Sequence, residues 1–321
     1  MKHRLLSMIL IFVLITSCNT NIKENDLTKE NLKGKVKSVS SFSYAAEMKF
    51  GEIIKGARTS SVIGGNYLIK YNEIGNMIEK YNYGLIDNGT SYKFKYNSSN
   101  KIIEKNVYKE NGNLSSKYKF EYDEKGNLIK RIIYNSDGNA ESVNWFYYDK
   151  MGNRIKLSNG QKTYIYKYDN DNNLIEYSCY DGDGYYTHQS IDKDGNITKD
   201  NTYYGNLIFT HTYKYNDFGF KTESIEFIND STLYSKSKYK YDAKGKIIEE
   251  KNYKFDSSLS STRLLEYDDY ENVIRNIYSN SLFNEESTIQ IQYDKMNNWI
   301  VKTIYSNNFP KHIIERKIEY Y

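Results

Sequence analysis

Residues 122–131 read YDEKGNLIKR, and this stretch decides the fold because the chain repeats it. Residues 71–80 read YNEIGNMIEK, residues 148–157 read YDKMGNRIKL, and residues 241–250 read YDAKGKIIEE. Successive copies start 20 to 26 residues apart, and self-similarity at such a period is the mark of a repeat architecture. Ten copies can be aligned, and they start at Tyr71, Tyr96, Tyr122, Tyr148, Tyr168, Ile191, Tyr215, Tyr241, Tyr267 and Tyr293.

Each copy predicts two strands and two turns. Residues 117–122 alternate lysine or glutamate with tyrosine or phenylalanine, which is the period-two pattern of a half-buried strand. Asp123 suits the first position of a type I turn, and Gly126 suits the position where φ becomes positive. Residues 128–134 then form the return strand, and residues 135–139, NSDGN, turn the chain again.

Ten such units predict an all-β fold, an antiparallel β-meander of about twenty strands. Because neighbouring strands twist and long open sheets curl, we expect a coiled or spiralling sheet with its tyrosines on the inner side. This repeat domain spans residues 67–321. Residues 34–66 are predicted to be an N-terminal capping strand and loop, irregular from residue 45 onward.

Four copies lack the turn glycine. Asn100, Asn172 and Asn297 replace it with a residue that tolerates left-handed backbone geometry, so these turns should survive. Glu271 does not share this tolerance, and a different turn is predicted there.

The first eighteen residues predict export and lipidation. The apolar run from Leu5 to Ile15 follows basic residues and is 11 residues long, whereas a membrane-spanning helix needs about 20. Residues 15–18, ITSC, resemble a bacterial lipobox, so residues 1–17 would be a signal peptide and Cys18 the lipidated residue. An ordinary signal peptide with an incidental cysteine is the alternative. Residues 18–33 are polar and predict a flexible tether.

Charge argues against nucleic-acid binding. Removal of residues 1–17 takes Lys2 and Arg4 from 45 basic residues, and the remaining 43 against 41 acidic residues give a net charge of +2. Lysine and glutamate are interspersed without a long basic block, which is not the electrostatic pattern of a nucleic-acid-binding protein.

The repeated phrase resembles the YD repeat of the RHS and teneurin family. The resemblance covers residues 67–321 and is close at residues 122–129. It implies a spiralling β-shell that is often described as carbohydrate-binding, and that in bacterial members can enclose a toxic C-terminal domain. This chain ends on a predicted strand, residues 313–321, so we expect no toxin domain. It resembles the small RHS-repeat lipoproteins of Bacteroidetes-type bacteria.

Aromatic residues that break the repeat register are the candidate ligand-binding residues. The chain has 35 tyrosines, and those that recur at one register are better explained by cross-strand packing than by ligand binding. We expect no catalytic residues, no cofactor and no metal site. His188 and His211 are predicted to face opposite sides of the sheet, and Cys179 is expected to be buried. The candidates are Trp145, Tyr147, Tyr185, Tyr186 and Trp299.

These features predict a non-enzymatic, monomeric binding or scaffold module of the cell envelope. Its lipid anchor would hold it at the bacterial outer membrane, facing the periplasm or the cell exterior, and its partner would be a glycan or an envelope protein. Two alternatives remain open. One is an accessory component of an RHS-type contact-dependent toxin system, and the other is a glycan-processing enzyme, which would need two carboxylates on one concave face.

Overall fold

The computed structural model describes residues 25–59, 65–83, 89–181, 186–204, 206–229 and 231–321. The predicted signal peptide and Cys18 lie outside these residues. The described part is all-β, with one four-residue helix, α1 (Asp26–Lys29), and no helix long and apolar enough to cross a membrane. The strands are β1 (Val36–Lys49), β2 (Glu52–Thr59), β3 (Tyr67–Tyr71), β4 (Met77–Asn82), β5 (Ser91–Tyr96), β6 (Ile102–Tyr108), β7 (Leu114–Tyr122), β8 (Leu128–Asn135), β9 (Ala140–Tyr148), β10 (Arg154–Ser158), β11 (Lys162–Tyr168), β12 (Leu174–Asp181), β13 (Tyr186–Ile191), β14 (Ile197–Tyr204), β15 (Leu207–Tyr215), β16 (Lys221–Ile228), β17 (Thr232–Tyr241), β18 (Ile247–Lys254), β19 (Leu259–Tyr267), β20 (Val273–Asn280), β21 (Asn284–Tyr293), β22 (Trp299–Ser306) and β23 (Phe309–Tyr320).

The repeat sets the strand boundaries. Each of the ten odd-numbered strands from β3 to β21 ends at the first residue of a repeated phrase, from Tyr71 to Tyr293. Each following even-numbered strand is the return strand of the same unit. The predicted meander is therefore confirmed, with β3 to β22 supplied by the ten repeats and β1, β2 and β23 added at the ends.

The turn after each odd strand has the predicted geometry. In the unit at Asp123, Gly126 donates its N–H to the carbonyl of Asp123 at 2.9 Å, and Gly126 has φ = 82°. The carboxylate of Asp123 accepts from the N–H of Asn127 at 2.7 Å. The type I turn is thus closed by a left-handed residue, and the extra residue shifts the pairing register between Glu121 and Tyr122.

The non-glycine turns keep this geometry. Asn100, Asn172 and Asn297 have φ values of 60°, 72° and 62°, as predicted. The different turn predicted at Glu271 is wrong, because Glu271 also adopts a positive φ of 67° and donates its N–H to the carbonyl of Asp268. Its carboxylate forms an ion pair with Lys246 at 2.7 Å, and the pairing of the two flanking strands fixes the turn despite the backbone strain.

Strand β1 closes the sheet. Residues 38–41 of β1 pair with β3, and residues 36–45 pair with β23, so the first and last strands of the repeat domain share one neighbour. The result is a closed ring of 22 strands, with β2 outside it and paired, within the described ranges, to β1 alone. Closure satisfies both sheet edges, which would otherwise expose unpaired backbone groups. The irregular segment predicted from residue 45 is wrong up to residue 59, where β1 and β2 form a hairpin, and residues 60–64 lie outside the described part.

The principal hydrophobic core lies at this closure. Val36 and Val39 of β1 and Ile69 and Tyr71 of β3 are buried together with Leu27 and Leu32. The flexible tether predicted for residues 18–33 therefore does not describe residues 25–33. Leu27 within the capped helical turn and Leu32 after it bury apolar surface that a free tether would leave in water.

Residues 25–33, which we call the clasp, also bind the turns of the first and last repeats. Leu27 donates its N–H to the carbonyl of Gly75 at 3.2 Å, and the carboxylate of Asp26 accepts from the N–H of Met77 at 2.7 Å. At the other end, Asn298 accepts from the N–H of Lys33 at 2.8 Å and donates to its carbonyl at 2.9 Å. The clasp thus bridges the two ends of the repeat array.

The two faces of the ring differ in chemistry. The tyrosine face carries the repeated tyrosines, and burial raises the pKa of Tyr122 there. The charged face carries ion pairs in which lysines of two odd strands flank a glutamate, as Lys95 and Lys117 flank Glu104 at 2.9 and 3.0 Å. Hydrogen bonds from these lysines lower the pKa of Glu104 to about 2. Because the tyrosine face is the more buried, we assign it to the inside of the ring.

Candidate functional site

The five aromatic residues selected from the sequence fall at separate places in the ring. Trp145 and Tyr147 lie on β9, Tyr186 begins β13, and Trp299 begins β22. Tyr185 lies outside the described residues, and of Tyr186 only the backbone is described, paired with Tyr180 and Tyr203. Since β9, β13 and β22 are not neighbours, the structure brings together only the first two candidates.

Trp145 and Tyr147 form an exposed aromatic pair on the charged face. They are two residues apart on one strand and therefore share a face, with exposed fractions of 45% and 47%. Lys130 of β8 pairs with Trp145 and lies 4.7 Å from its ring centroid. Lys156 of β10 pairs with Tyr147 and lies 5.5 Å from its centroid. Each of the two exposed aromatic side chains thus lies beside a lysine ammonium group, on the outer face of the closed sheet.

Trp299 occupies a different environment, a cleft at the closure. The cleft has a volume of about 340 Å³ and lies between the clasp, the turns at residues 268–272 and 294–298, and Arg316. Lys302 and Arg316 lie 4.4 and 3.6 Å from the Trp299 ring centroid. Trp299 is also half-buried, whereas Trp145 and Tyr147 are exposed, which makes the β9 pair the better ligand candidates.

Titrating groups with shifted pKa values lie in and beside the cleft. Burial, together with the charge of Arg316, lowers the pKa of Lys302 to about 8. Lys302 donates to the side-chain oxygen of Asn272 at 3.2 Å. Burial and a hydrogen bond to the carboxylate of Asp268 raise the pKa of Tyr293. These contacts all connect neighbouring repeats, so they hold the closure together.

One polar group inside the ring was not identified from the sequence. On the tyrosine face, His211 of β15 pairs with Asp200 of β14 and with Glu226 of β16, and its Nε2 lies 3.5 Å from Glu226. Asp200 accepts from Gln189 at 3.0 Å through one oxygen, and its other oxygen is buried without a partner in the described part of the chain. The strand register that joins these residues could have been read only by aligning the repeats position by position.

The other residues singled out in the sequence, His188 and Cys179, are engaged in hydrogen bonding or packing within the fold. His188 bonds Ser178 on the charged face, so the two histidines lie on opposite faces as predicted. Cys179 is free and buried, also as predicted. Among the described residues, no group of three or more His, Cys, Asp or Glu side chains is placed to hold a metal ion.

Comparisons with known proteins give partial likenesses. A family model described as "Uncharacterised protein" matches residues 69–181, and no curated protein matches the chain. A solved structure of TcdB2-TccC3-TEV is 12% identical with a TM-score of 0.40, over 81% of this chain and 16% of that one. This chain thus spans about one sixth of that protein's length.

Two porin-like structures are also similar. A porin-like protein from Bacteroides uniformis is 10% identical with a TM-score of 0.31, over 89% of this chain and 98% of that one. A porin-like protein from Bacteroides vulgatus is 14% identical with a TM-score of 0.28, over 56% of this chain and 95% of that one. With TM-scores below 0.5, these likenesses do not establish membership of the YD-repeat family.

Proposed function

We propose that this protein is a non-enzymatic binding module of the cell envelope, held at the outer membrane by a lipid on Cys18, and that it binds a glycan. The observation that carries the proposal is the exposed pair Trp145 and Tyr147 on the charged face. The pair sits on a strand whose backbone is fixed by both neighbours, so the two rings are presented without a large ordering cost.

The chemistry of the pair suits a sugar. The C–H groups on one face of a pyranose ring stack on an aromatic ring, and its hydroxyl groups need hydrogen-bond donors and acceptors at the rim. Lys130 and Lys156 each supply an ammonium group with three donors beside one of the two aromatic rings. An envelope protein with an acidic, apolar surface is the other partner that this chemistry could accept.

The charged face supports attachment through a lipid and not through the ring itself. Glu79, Glu104 and Glu223 are each flanked by two lysines on this face. A lysine or arginine side chain that faces lipid at the middle of a bilayer costs roughly 2–4 kcal/mol. A ring with these ion pairs on its outside is therefore suited to an aqueous compartment beside the membrane.

The glycan proposal is tested by a glycan-array screen of the protein, with Trp145→Ala and Tyr147→Ala compared with Tyr234→Ala. Tyr234 is an exposed tyrosine on β17, far from β9 in the ring, and it serves as the matched control. We expect selective binding that both β9 variants lose and the control retains. A blank array would reject the glycan and direct the search to protein partners by crosslinking in intact cells.

The anchor has its own test. Metabolic labelling with a fatty acid should tag the protein, and Cys18→Ser should abolish the label and release the protein from the membrane fraction. Unlabelled wild-type protein would instead support the ordinary signal peptide.

A glycan-processing enzyme is the second candidate, because Asp200 and Glu226 lie on strands two apart on the inner face with His211 between them. Strands two apart place the carboxylates about 10 Å from each other before side-chain adjustment, close to the separation of inverting glycosidases. Release of reducing ends from a polysaccharide, lost in Asp200→Asn and Glu226→Gln but kept in Glu250→Gln, would establish this activity. No release from a broad set of polysaccharides would reject it.

A further inference from the structure

Four cations form a row on the tyrosine face. Lys80, Lys105, Arg131 and Arg154 lie on β4, β6, β8 and β10, the return strands of four successive repeats. The first three occupy equivalent positions, because Lys80 pairs with Tyr92, Lys105 with Tyr118 and Arg131 with Asn144 on the following strand. We call these four residues the basic strip.

The basic strip is not neutralised by the protein. None of its four cations has a carboxylate within ion-pair distance in the described ranges, whereas lysines on the charged face of the same region pair with Glu79 and Glu104. Burial, with the positive charges of Arg131 and Lys80 on either side, lowers the pKa of Lys105. A row of like charges without a counter-charge costs free energy, and an anionic ligand would remove that cost.

Contacts with the neighbouring strands hold three of these cations in place. Lys105 lies 4.8 and 5.2 Å from the ring centroids of Tyr92 and Tyr118, and Arg154 lies 4.6 Å from that of Tyr166. Arg131 donates to the side-chain oxygen of Asn144 at 3.2 Å. The Nε groups of Arg131 and Arg154 are buried and have no hydrogen-bond partner among the described residues, so no acceptor in that part of the chain offsets their charge there. All four residues are half-buried, so each keeps some surface that a ligand inside the closed sheet can contact.

We propose that the basic strip binds an anionic polysaccharide laid along the inner wall of the ring. Lys80, Lys105 and Arg131 lie at equivalent positions on every second strand, so these three cations are spaced about 10 Å apart. This spacing is close to the length of a disaccharide unit, so a polymer with one carboxylate on every second sugar would present one anion to each cation. The tyrosine and phenylalanine rings of the intervening odd strands offer stacking surfaces for the sugars between the anions.

The same features disfavour a single-stranded nucleic acid. Its phosphates are more closely spaced than the cations, and the near-neutral chain lacks the broad positive field that such ligands require. Farther around the same inner face, Asp200, Glu226 and Glu250 would repel a polyanion and confine it to the strip. The strip is also independent of Trp145 and Tyr147, which lie on the opposite face of the sheet.

The test compares two double variants of the full-length protein in detergent at low ionic strength. Lys105→Gln with Arg131→Gln removes two strip cations. Lys93→Gln with Lys119→Gln is the control, because it removes the same charge from the other face and also removes cations that lie over tyrosines. The probes are hyaluronan, neutral dextran and oligo(dT), and binding is measured by titration calorimetry.

We expect hyaluronan but not dextran to bind, and the strip variant to weaken binding at least about tenfold while the control changes it less than about twofold. An equal loss in both variants would overturn the proposal, because it would show non-specific charge attraction. Binding of oligo(dT) in preference to hyaluronan would also overturn it, as would the absence of hyaluronan binding. Thermal unfolding of both variants checks that they are folded. If the strip double variant is unfolded, Lys105→Gln alone replaces it, and if the control double variant is unfolded, Lys119→Gln alone replaces that one.

Discussion

The hydroxyl of Tyr122 donates a hydrogen bond to the backbone carbonyl of Ile102, 20 residues earlier in the chain, at 2.8 Å. Ile102 begins the return strand of the preceding repeat, so this bond joins two repeats at the edge of the ring where the turns lie. Tyr148 makes the equivalent bond to Leu128 at 2.9 Å, and Tyr267 makes it to Ile247 at 2.9 Å. The recurring tyrosine therefore links repeats in addition to packing in the sheet.

The first prediction concerns this bond. Tyr122→Phe should lower the free energy of unfolding by about 1 kcal/mol, since it removes one hydrogen bond and leaves the ring in place. Urea unfolding measures the change. Tyr118→Phe is the control, because the Tyr118 hydroxyl on the same face has no hydrogen-bond partner in the described part of the chain. Equal losses in the two variants would show that the inter-repeat bond contributes nothing.

The clasp gives the second prediction. The buried side chain of Asn298 bonds both backbone groups of Lys33 and donates to the hydroxyl of Tyr320. Asn298→Ala should cost about 2–3 kcal/mol and speed hydrogen exchange in residues 25–33. Asn127→Ala, at the equivalent turn position where the side chain bonds only its own turn, should leave that exchange unchanged. Slow exchange of the clasp in Asn298→Ala would contradict the role of this residue.

A third prediction follows from the strained turn. Glu271→Gly should raise the free energy of unfolding by about 0.5–1 kcal/mol, because glycine relieves the positive φ and the lost surface ion pair with Lys246 is weak. Thermal and urea unfolding should agree on the sign. Glu124→Gly, which changes a turn position without a positive φ, should not stabilise. A destabilised Glu271→Gly would mean that the ion pair outweighs the strain.

The fourth prediction is a pH dependence at the closure. The pKa of Lys302 is about 8 in the folded protein and about 10.4 in an unfolded chain. Between pH 8 and pH 10 the unfolded state binds more protons, so the free energy of unfolding should rise with pH, while below pH 8 the cost of the buried charge is constant.

Lys302→Met should reduce this rise, and urea unfolding at several pH values from 7 to 10 would measure it. Lys311→Met, at an exposed position on β23, should keep the wild-type slope. An unchanged slope in Lys302→Met would assign the dependence to other groups.

Much of the fold could be predicted because its signals are local. The alternation in residues 117–122 and the turn at Asp123 to Gly126 each involve a few consecutive residues, and they recur often enough to define the meander. The turn at Glu271 was predicted wrongly because the pairing of β19 with β20 outweighs the local cost of a left-handed glutamate. The exposed pair Trp145 and Tyr147 could be selected because it breaks the repeat register, while the group around His211 needed the cross-strand register to be seen.

Local patterns in the sequence are enough to predict the repeat, the strands and their order, because alternation and turn chemistry act between residues close along the chain. Closure of the sheet could not be predicted from these local patterns, since it depends on β1 pairing with the nearby β3 and also with β23 at the far end of the chain, where Val39 pairs with Ile318. Long-range contacts also place Leu27 and Leu32 in the hydrophobic core, and they bring Lys302 and Arg316 next to Trp299. Such contacts arise from how far the sheet curves, which is a sum of small twists over all the strands and is not encoded in any one repeat.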